Sequence, residues 1–151
     1  MAETTAFTPP PGAFTVTRPI RFSHSDPAGI VYYPNYFDMM NGVVEDWFGQ
    51  ELRLDFVGLI MGRRHGMPIV HAECDFKVPS RFGDRLAFTL LVAKLGRASL
   101  AYRIVGHANG TLRLEARIVT VMIALDTGAS VAIPDELRRP IEDYQRRTGA
   151  A

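Results

Sequence analysis

A short run of residues in the first quarter of the chain combines a carboxylate, a turn and the start of a helix. From Asp26 to Tyr36 it reads Asp-Pro-Ala-Gly-Ile-Val-Tyr-Tyr-Pro-Asn-Tyr. Pro34 suits the first position of a helix, where a missing N–H costs nothing, and it favours an extended conformation at Tyr33. The first N–H groups of a helix lack internal acceptors and can hold an oxyanion. The run therefore predicts a carboxylate working beside a helix N-terminus.

Asp26 has two interpretations. The simpler one is a turn former, because Asp-Pro pairs are common in loops and Asp side chains accept hydrogen bonds from nearby N–H groups. In the catalytic one, residues 28–31 offer almost no polar groups, so an acyl chain could lie against the carboxylate in a dry pocket. The carboxylate would attack a carbonyl or activate a water there, while backbone N–H groups take the developing negative charge.

A thioester is the natural target of such a site, because its thiolate leaves easily and a weak nucleophile suffices. Since Pro34 has no N–H, we expect the amide of Tyr33 to be the oxyanion donor, with the amide of Tyr32 as the second candidate. Removing one such donor typically costs about 100-fold to 1,000-fold in rate.

Apolar periodicity predicts the elements that position this run. Alternation predicts a first strand over 14–22 that ends at residues 23–25, and helical spacing predicts a long helix from Pro34 through Phe48 with a wide apolar face. A shorter helix is expected within 52–60 and a last one over 134–147. The predicted strands that follow the long helix cover 71–78, 86–92, 100–108 and 112–118, with a type I′ turn at Asn109-Gly110. Together they predict an α+β fold in which a five-stranded antiparallel sheet wraps the long helix.

Composition predicts one ordinary globular domain. The chain has 151 residues, 47% hydrophobic content, 22% charged content and a net charge of +1. We expect a flexible N-terminal tail over 1–13, a single domain over 14–148, no membrane span and no nucleic-acid partner. Cys74 is the single cysteine, which by default indicates a cytoplasmic location. Its neighbours Ala72, Phe76 and Val78 alternate with polar residues as in a strand, so we expect a buried structural thiol. The residues show no metal-ligand spacing, and we expect no metal.

The stretch from Phe22 to Phe37 closely resembles the 4-hydroxybenzoyl-CoA thioesterases of the hotdog-fold acyl-CoA thioesterase superfamily. A weaker resemblance continues through residues 68–78 and 83–86. It implies that Asp26 is the catalytic carboxylate and that the amide of Tyr33 polarises the thioester carbonyl. It also implies a hotdog fold that dimerises edge to edge, often pairs again into homotetramers, and has active sites at the subunit interface.

The sequence departs from that family at two places. Relatives often have an acidic residue two positions before the catalytic Asp, where this chain has His24; it either tunes Asp26 or only ends the strand. A pair of basic residues that meets CoA phosphates is reduced here to Gly96-Arg97. The candidate substrate-binding residues are Gly29, Tyr32, Lys77, Arg81 and Arg97.

A second branch of the superfamily carries its carboxylate on the central helix, which makes Glu45 and Asp46 rivals of Asp26. That branch usually has a His-Gly-Gly motif ahead of the helix, and this sequence lacks it. The aromatic residues Tyr36, Phe37 and Trp47 could meet an aromatic substrate, but such residues are more often part of the core.

The sequence thus predicts an acyl-CoA thioesterase that hydrolyses an aromatic, 4-hydroxybenzoyl-like, or short acyl-CoA to the free acid and CoA. Asp26 is expected to act as nucleophile or general base. No cofactor is expected, because coenzyme A is part of the substrate. The main alternative is a non-catalytic acyl-CoA-binding hotdog module, and a hotdog dehydratase is a third reading for which the sequence shows no motif.

Overall fold

The computed structural model describes residues 4–149. The described chain forms two α-helices and seven β-strands. In chain order they are β1 (Phe14–Pro19), α1 (Pro34–Asp46), β2 (His65–Gly66), β3 (Ile69–Phe76), β4 (Arg85–Leu95), β5 (Ser99–Ala108), β6 (Thr111–Val121), β7 (Ile123–Ala124) and α2 (Asp135–Thr148). A 3₁₀ turn at Phe22–His24 follows β1, and π-helical turns at Trp47–Glu51 and Gly58–Gly62 lie between α1 and β2.

The main sheet has five strands in the order β1-β4-β5-β6-β3, and all its neighbouring strands are antiparallel. β5 and β6 are joined at Asn109 and Gly110, whose φ angles of 52° and 75° are those of a type I′ turn. The small sheet pairs β2 with β7. This arrangement confirms the predicted α+β class with a five-stranded antiparallel sheet.

α1 buries the face that its sequence spacing predicts. Tyr36, Met39, Met40 and Val43 are buried, while Asp38, Asn41 and Glu45 on the other side are exposed. Burying a large apolar side chain contributes roughly 1.5–3 kcal/mol relative to leaving it in water. The apolar face of α1 therefore fixes the helix on the sheet and, through the helix, the position of its N-terminus.

The helix α2 packs against the sheet beside β4. The Tyr144 hydroxyl donates a hydrogen bond to the carbonyl of Leu90 and accepts one from the N–H of Phe14 at 2.9 Å. The Tyr144 and Trp47 rings meet edge to face with centroids 5.4 Å apart. α2 thus ties the start of β1, the middle of β4 and the end of α1 together. Within residues 4–149, no helix is long and apolar enough to cross a membrane.

Part of the segment predicted as an N-terminal tail contacts the sheet. The N–H of Phe7 donates to the carbonyl of Gly110 at 2.9 Å, and the N–H of Leu112 donates to the carbonyl of Thr5 at 2.8 Å. The Phe7 ring lies 4.9 Å from the ring of buried His107, and burial lowers the pKa of that imidazole. Residues 1–3 of the predicted tail lie outside the described residues.

Three local predictions are wrong: the end of the first strand, the conformation of Tyr33 and the short helix over 52–60. β1 ends at Pro19, because the chain turns there and leaves Phe22 79% exposed in the 3₁₀ turn. Tyr33 has helical angles, φ −53° and ψ −34°, because the helical turn begins one residue earlier, with the N–H of Asn35 donating to the carbonyl of Tyr32 at 2.9 Å. In place of a regular helix over 52–60 the chain has a positive φ of 56° at Arg53 and the later π-helical turn.

Candidate active site

The loop that carries Asp26 is closed by its own hydrogen bonds. One carboxylate oxygen, Oδ1, accepts the N–H of Ala28 at 2.9 Å. The backbone carbonyl of Asp26 accepts the N–H of Gly29 at 2.9 Å, and the N–H of Asp26 donates to the carbonyl of Ile30 at 3.0 Å. Gly29 has φ 79°, a conformation that glycine adopts without strain. The turn therefore fixes the carboxylate through Oδ1, and Oδ2 accepts no hydrogen bond within the described residues.

Backbone hydrogen bonds also attach this loop to the start of α1. The carbonyl of His24 accepts both the N–H of Tyr32 and the side-chain amide of Asn35, each at 2.9 Å. On the other side, the N–H of Val31 donates to the carbonyl of Ser80 at 2.9 Å. The N–H of Ser80 in turn donates to the hydroxyl of buried Tyr36 at 3.3 Å. The loop and the helix start are thus held as one unit.

Among the backbone amides at the start of α1, only that of Tyr33 has an N–H without a hydrogen-bond acceptor in the described chain. Tyr32 donates its N–H to His24, and Pro34 has no N–H. For the N–H of Tyr33, residues 4–149 supply no acceptor. An unoccupied donor at a helix N-terminus also carries part of the positive end of the helix dipole, which favours an oxyanion.

The groove around Asp26 is more polar and more open than the dry pocket expected from the loop sequence, so that expectation is wrong for a single chain. It is lined by Ser23, Ser25, Asp26, Pro27, Ala28, Tyr32 and Asn35. The hydroxyls of Ser23 and Ser25 come from the turn before Asp26 and the amide of Asn35 comes from α1, outside residues 28–31, which motivated the prediction. Asp26 itself is half-buried. Excluding water from this groove requires a further surface above it.

An exposed aromatic surface begins at Tyr33. The Tyr33 and Phe76 side chains are 58% and 48% exposed, and their ring centroids lie 6.3 Å apart. Phe76 also contacts Tyr36, with ring centroids 5.7 Å apart. Tyr36 and Trp47 are 5% and 0% exposed, so these two predicted aromatic candidates belong to the core. Phe76 was missed because strand alternation marks it as an inward residue, whereas α1 covers it only in part and leaves it 48% exposed.

The predicted cations fall into two groups. Arg81 bridges to Ile30, and its guanidinium lies 3.6 Å from where a Cβ on Gly29 would be, so it lies over the carboxylate loop. Lys77 follows β3 at the same end of the sheet and is exposed. Arg97 follows the far end of β4, whose 11 residues span ~35 Å. Within one chain, Arg97 and Asp26 are therefore not brought together.

The remaining candidate groups have local partners. The Nδ1 atom of His24 accepts the N–H of Arg21 at 2.9 Å and closes the 3₁₀ turn. Asp46 is ion-paired with Arg18 of β1, while Glu45 points to solvent. Cys74 is half-buried, and burial raises the pKa of its thiol to about 11, which opposes a role as nucleophile. Within the described chain, no three His, Cys, Asp or Glu residues cluster as a metal site.

Comparison with known proteins gives concordant matches. The family model described as "Thioesterase-like superfamily" matches residues 20–141. A 1,4-dihydroxy-2-naphthoyl-CoA hydrolase of Synechocystis sp. is 30% identical over 134 residues, which cover 87% of this chain and 96% of that protein. The crystal structure of a 1,4-dihydroxy-2-naphthoyl-CoA thioesterase from Synechocystis has a TM-score of 0.78 at 28% identity, covering 87% of this chain and 97% of that one. The structure of a gentisyl-coenzyme A thioesterase has a TM-score of 0.75 at 26% identity, covering 85% and 99%.

Proposed function

The chain belongs to the thioesterase-like superfamily and has its hotdog fold; it is an acyl-CoA thioesterase, and we propose that its substrate is an aromatic acyl-CoA. In this proposal Asp26 is the catalytic carboxylate and the N–H of Tyr33 is the oxyanion donor. The products are the free aromatic acid and CoA. No cofactor takes part.

The observation that carries the proposed roles is the arrangement of donors at the start of α1. Of the amides of residues 32–34, Tyr33 alone combines an N–H with no acceptor in the described chain. The carboxylate of Asp26 keeps Oδ2 unoccupied on the loop that is bonded to the same helix start. A carboxylate and an oxyanion donor held on one unit are the two groups that thioester hydrolysis requires.

Two courses of reaction are open to Asp26. As a nucleophile, the carboxylate forms a mixed anhydride with the acyl group and releases the CoA thiolate, and water then hydrolyses the anhydride. As a general base, it takes a proton from the water that attacks the thioester carbonyl. In both, the N–H of Tyr33 stabilises the negative charge on the carbonyl oxygen while the carbon is tetrahedral.

An aromatic acyl group is supported by the surface beside the oxyanion donor. Tyr33 and Phe76 expose about half of their surface there, and aromatic rings pack on one another edge to face or offset. The names of the relatives point in the same direction. 1,4-Dihydroxy-2-naphthoyl and gentisyl groups both have a hydroxyl on the ring carbon next to the one that carries the carbonyl. We extend the proposal to ring systems of this kind, and we keep 4-hydroxybenzoyl, whose hydroxyl is para to the carbon that carries the carbonyl, as a separate candidate because of the resemblance of the loop motif.

We also propose that the chain self-associates through β3, as a dimer or as a tetramer built from dimers. β3 is an edge strand of the sheet, and all of its residues except Cys74 are exposed, including Ile69, Val70 and Phe76. A long, exposed edge strand offers unpaired N–H and C=O groups to another strand. A second copy is the surface that would cover the aromatic residues and exclude water from the groove. Sedimentation equilibrium tests this proposal, and a monomer that is fully active at assay concentration contradicts it.

The substrate proposal is tested by thiol release from a panel of CoA thioesters. The panel contains 1,4-dihydroxy-2-naphthoyl-CoA, gentisyl-CoA, 4-hydroxybenzoyl-CoA, benzoyl-CoA, and acetyl-CoA and hexanoyl-CoA as aliphatic controls. We expect kcat/KM for the best aromatic thioester to exceed that of both aliphatic ones at least tenfold. Equal or better cleavage of the aliphatic thioesters contradicts the aromatic assignment. Tight binding of CoA thioesters with no cleavage of any of them supports the non-catalytic alternative.

A single-turnover reaction in heavy-oxygen water separates the two roles of Asp26. With enzyme in excess over substrate, hydrolysis of the anhydride at the carboxyl carbon of Asp26 leaves label in that carboxylate and transfers an unlabelled oxygen of Asp26 to the product acid. The general-base course puts the solvent oxygen directly into the product acid and leaves the enzyme unlabelled. Mass spectrometry measures label in the peptide that contains Asp26 and in the acid: label in the peptide establishes the nucleophilic course, and label in the acid alone favours the general-base course.

A further inference from the structure

We propose that Asn35 is a positioning residue for hydrolysis: its side-chain amide sets the distance between the carboxylate of Asp26 and the oxyanion donor at Tyr33. The inference rests on the proposed function, because it concerns the same two groups. Asn35 itself is assigned no contact with the reacting atoms.

The proposal rests on the two hydrogen bonds that the backbone carbonyl of His24 accepts. The oxygen of His24 accepts the N–H of Tyr32 and the Nδ2 of Asn35, both at 2.9 Å. A carbonyl oxygen has two lone pairs, so these two donors saturate it. The two donors come from the residues that flank Tyr33 and Pro34 in the chain. The His24 carbonyl is therefore hydrogen-bonded to the residues on both sides of the proposed oxyanion donor.

The same carbonyl lies two residues before Asp26. The loop that follows it is closed by the Asp26 turn and by the bridge between Ser25 and Val31. A shift of the His24 peptide relative to α1 must move the carboxylate relative to the N–H of Tyr33. The hydrogen bond from the Asn35 side chain is the one side-chain hydrogen bond in the described chain that joins the loop of Asp26 to the start of α1. The other hydrogen bonds between these two segments are between backbone groups.

Stabilising the helix is not what this side chain does. Asn35 is the second residue of α1, and its amide is directed at His24 across the loop, while no side chain caps the N-terminus of α1. Asparagine is also a poorer helix former than alanine, by roughly half a kcal/mol, so replacing it by alanine should favour the helix itself. The side-chain hydrogen bond of Asn35 points away from the helix, and asparagine is a poorer helix former than alanine. Both facts indicate that Asn35 acts on the loop of Asp26.

Two substitutions separate positioning from folding. Asn35→Ala removes the donor without adding charge. Asn35→Asp keeps the shape, loses the donor, and places a negative charge at a helix N-terminus, where it is stabilising. The matched control is Asn41→Ala, which changes an exposed asparagine of the same helix. Each variant is assayed with the most active thioester of the panel, and its thermal unfolding is recorded.

We expect Asn35→Ala to lower kcat about 10-fold to 100-fold with KM within threefold of wild type, since displacement of about 1 Å in reacting groups has effects of this size. Asn35→Asp should lose at least as much kcat while its unfolding midpoint is unchanged or higher. Asn41→Ala should behave as wild type. A kcat for Asn35→Ala within threefold of wild type overturns the proposal, and so does an Asn35→Asp variant with wild-type kcat across the pH profile.

Amide hydrogen exchange in the protein without substrate tests the proposal without a measurement of turnover. The chain has five tyrosines, so isotope labelling of tyrosine nitrogen gives few amide signals, and Tyr32→Phe identifies the signal of Tyr32. In Asn35→Ala we expect the amide of Tyr32 to exchange with solvent at least tenfold faster, while that of Tyr102 in β5 is unchanged. Unchanged exchange at Tyr32 overturns the proposal. If wild type cleaves no thioester, the proposed function fails; if wild type is active and Asn35→Ala is unaffected in both readouts, only this inference fails.

Discussion

The N–H of Tyr33 can be removed by a single substitution that suits the φ angle of this residue. Tyr33 has φ −53°, within the range that the proline ring imposes, and its N–H has no acceptor in the described chain. Tyr33→Pro therefore deletes the proposed oxyanion donor without breaking a hydrogen bond of the fold. At a compatible φ, a new proline typically stabilises a protein by about 0.4–1 kcal/mol. We expect the variant to fold.

The substitution also removes an aromatic ring that is 58% exposed, so it needs a matched control. Tyr33→Ala removes the ring and keeps the N–H. In the proposed site the ring packs on the acyl group, so we expect its loss in Tyr33→Ala to raise KM and to leave kcat within about fivefold of wild type. The difference between the two variants then isolates the amide.

Removing one oxyanion-hole donor lowers kcat by about 100-fold to 1,000-fold, equivalent to about 2.7–4 kcal/mol of transition-state stabilisation. We expect Tyr33→Pro to be slower than Tyr33→Ala by this factor. The assay is steady-state thiol release from the best aromatic thioester, with circular dichroism and thermal unfolding to show that both variants are folded. A folded Tyr33→Pro variant whose kcat lies within fivefold of that of Tyr33→Ala refutes the assignment of this N–H.

Three further predictions concern the loop, the core and the thiol. Gly29→Ala should destabilise the fold by about 1–2 kcal/mol in urea unfolding and lower kcat, because Gly29 has φ 79°, a conformation that strains a residue with a Cβ. Gly29→Asn should be milder, and an alanine variant as stable as wild type contradicts this. Tyr144→Phe should cost about 1–3 kcal/mol in urea unfolding because it leaves the N–H of Phe14 and the carbonyl of Leu90 without their partner. Since burial raises the pKa of Tyr144 to about 12, its contribution to stability should be complete below about pH 10 and fall as the pH rises toward 12, a loss that Tyr144→Phe should not show. Cys74, with its thiol pKa raised to about 11, should react with iodoacetamide near pH 8 about 100-fold more slowly than free cysteine, and equal rates would contradict its burial.

Local sequence signals predicted the helix, the turn and the carboxylate loop well. The apolar face of α1 and the Asn109-Gly110 turn follow from short-range rules of spacing and backbone conformation, and both are confirmed. The loop of Asp26 could be read in the same way, because its turn is closed by residues within four positions of one another.

Features that depend on distant contacts were not predictable. The sequence places Phe76 on one face of a strand, but only the position of α1 decides that Phe76 is left about half exposed there. A proline-rich N-terminus has the composition of a tail, yet the backbone of Thr5 and Phe7 hydrogen bonds to the β5–β6 turn and the start of β6. The separation of Arg97 from Asp26 follows from the length and direction of β4. The link between Asn35 and His24 spans 11 positions, and an asparagine near a helix start has many alternative partners.

The central claim is that Asp26 carries the hydrolysis of an aromatic acyl-CoA, and Asp26→Asn tests it most directly. An asparagine oxygen can still accept the N–H of Ala28 that Oδ1 now accepts at 2.9 Å, so the turn is kept while the charge is lost. Catalysis by a positioned carboxylate is typically worth about 100-fold to 10,000-fold. We predict that Asp26→Asn lowers kcat for the best aromatic thioester at least 100-fold with an unfolding midpoint close to that of wild type. A folded variant that keeps kcat within a few-fold of wild type would contradict the account.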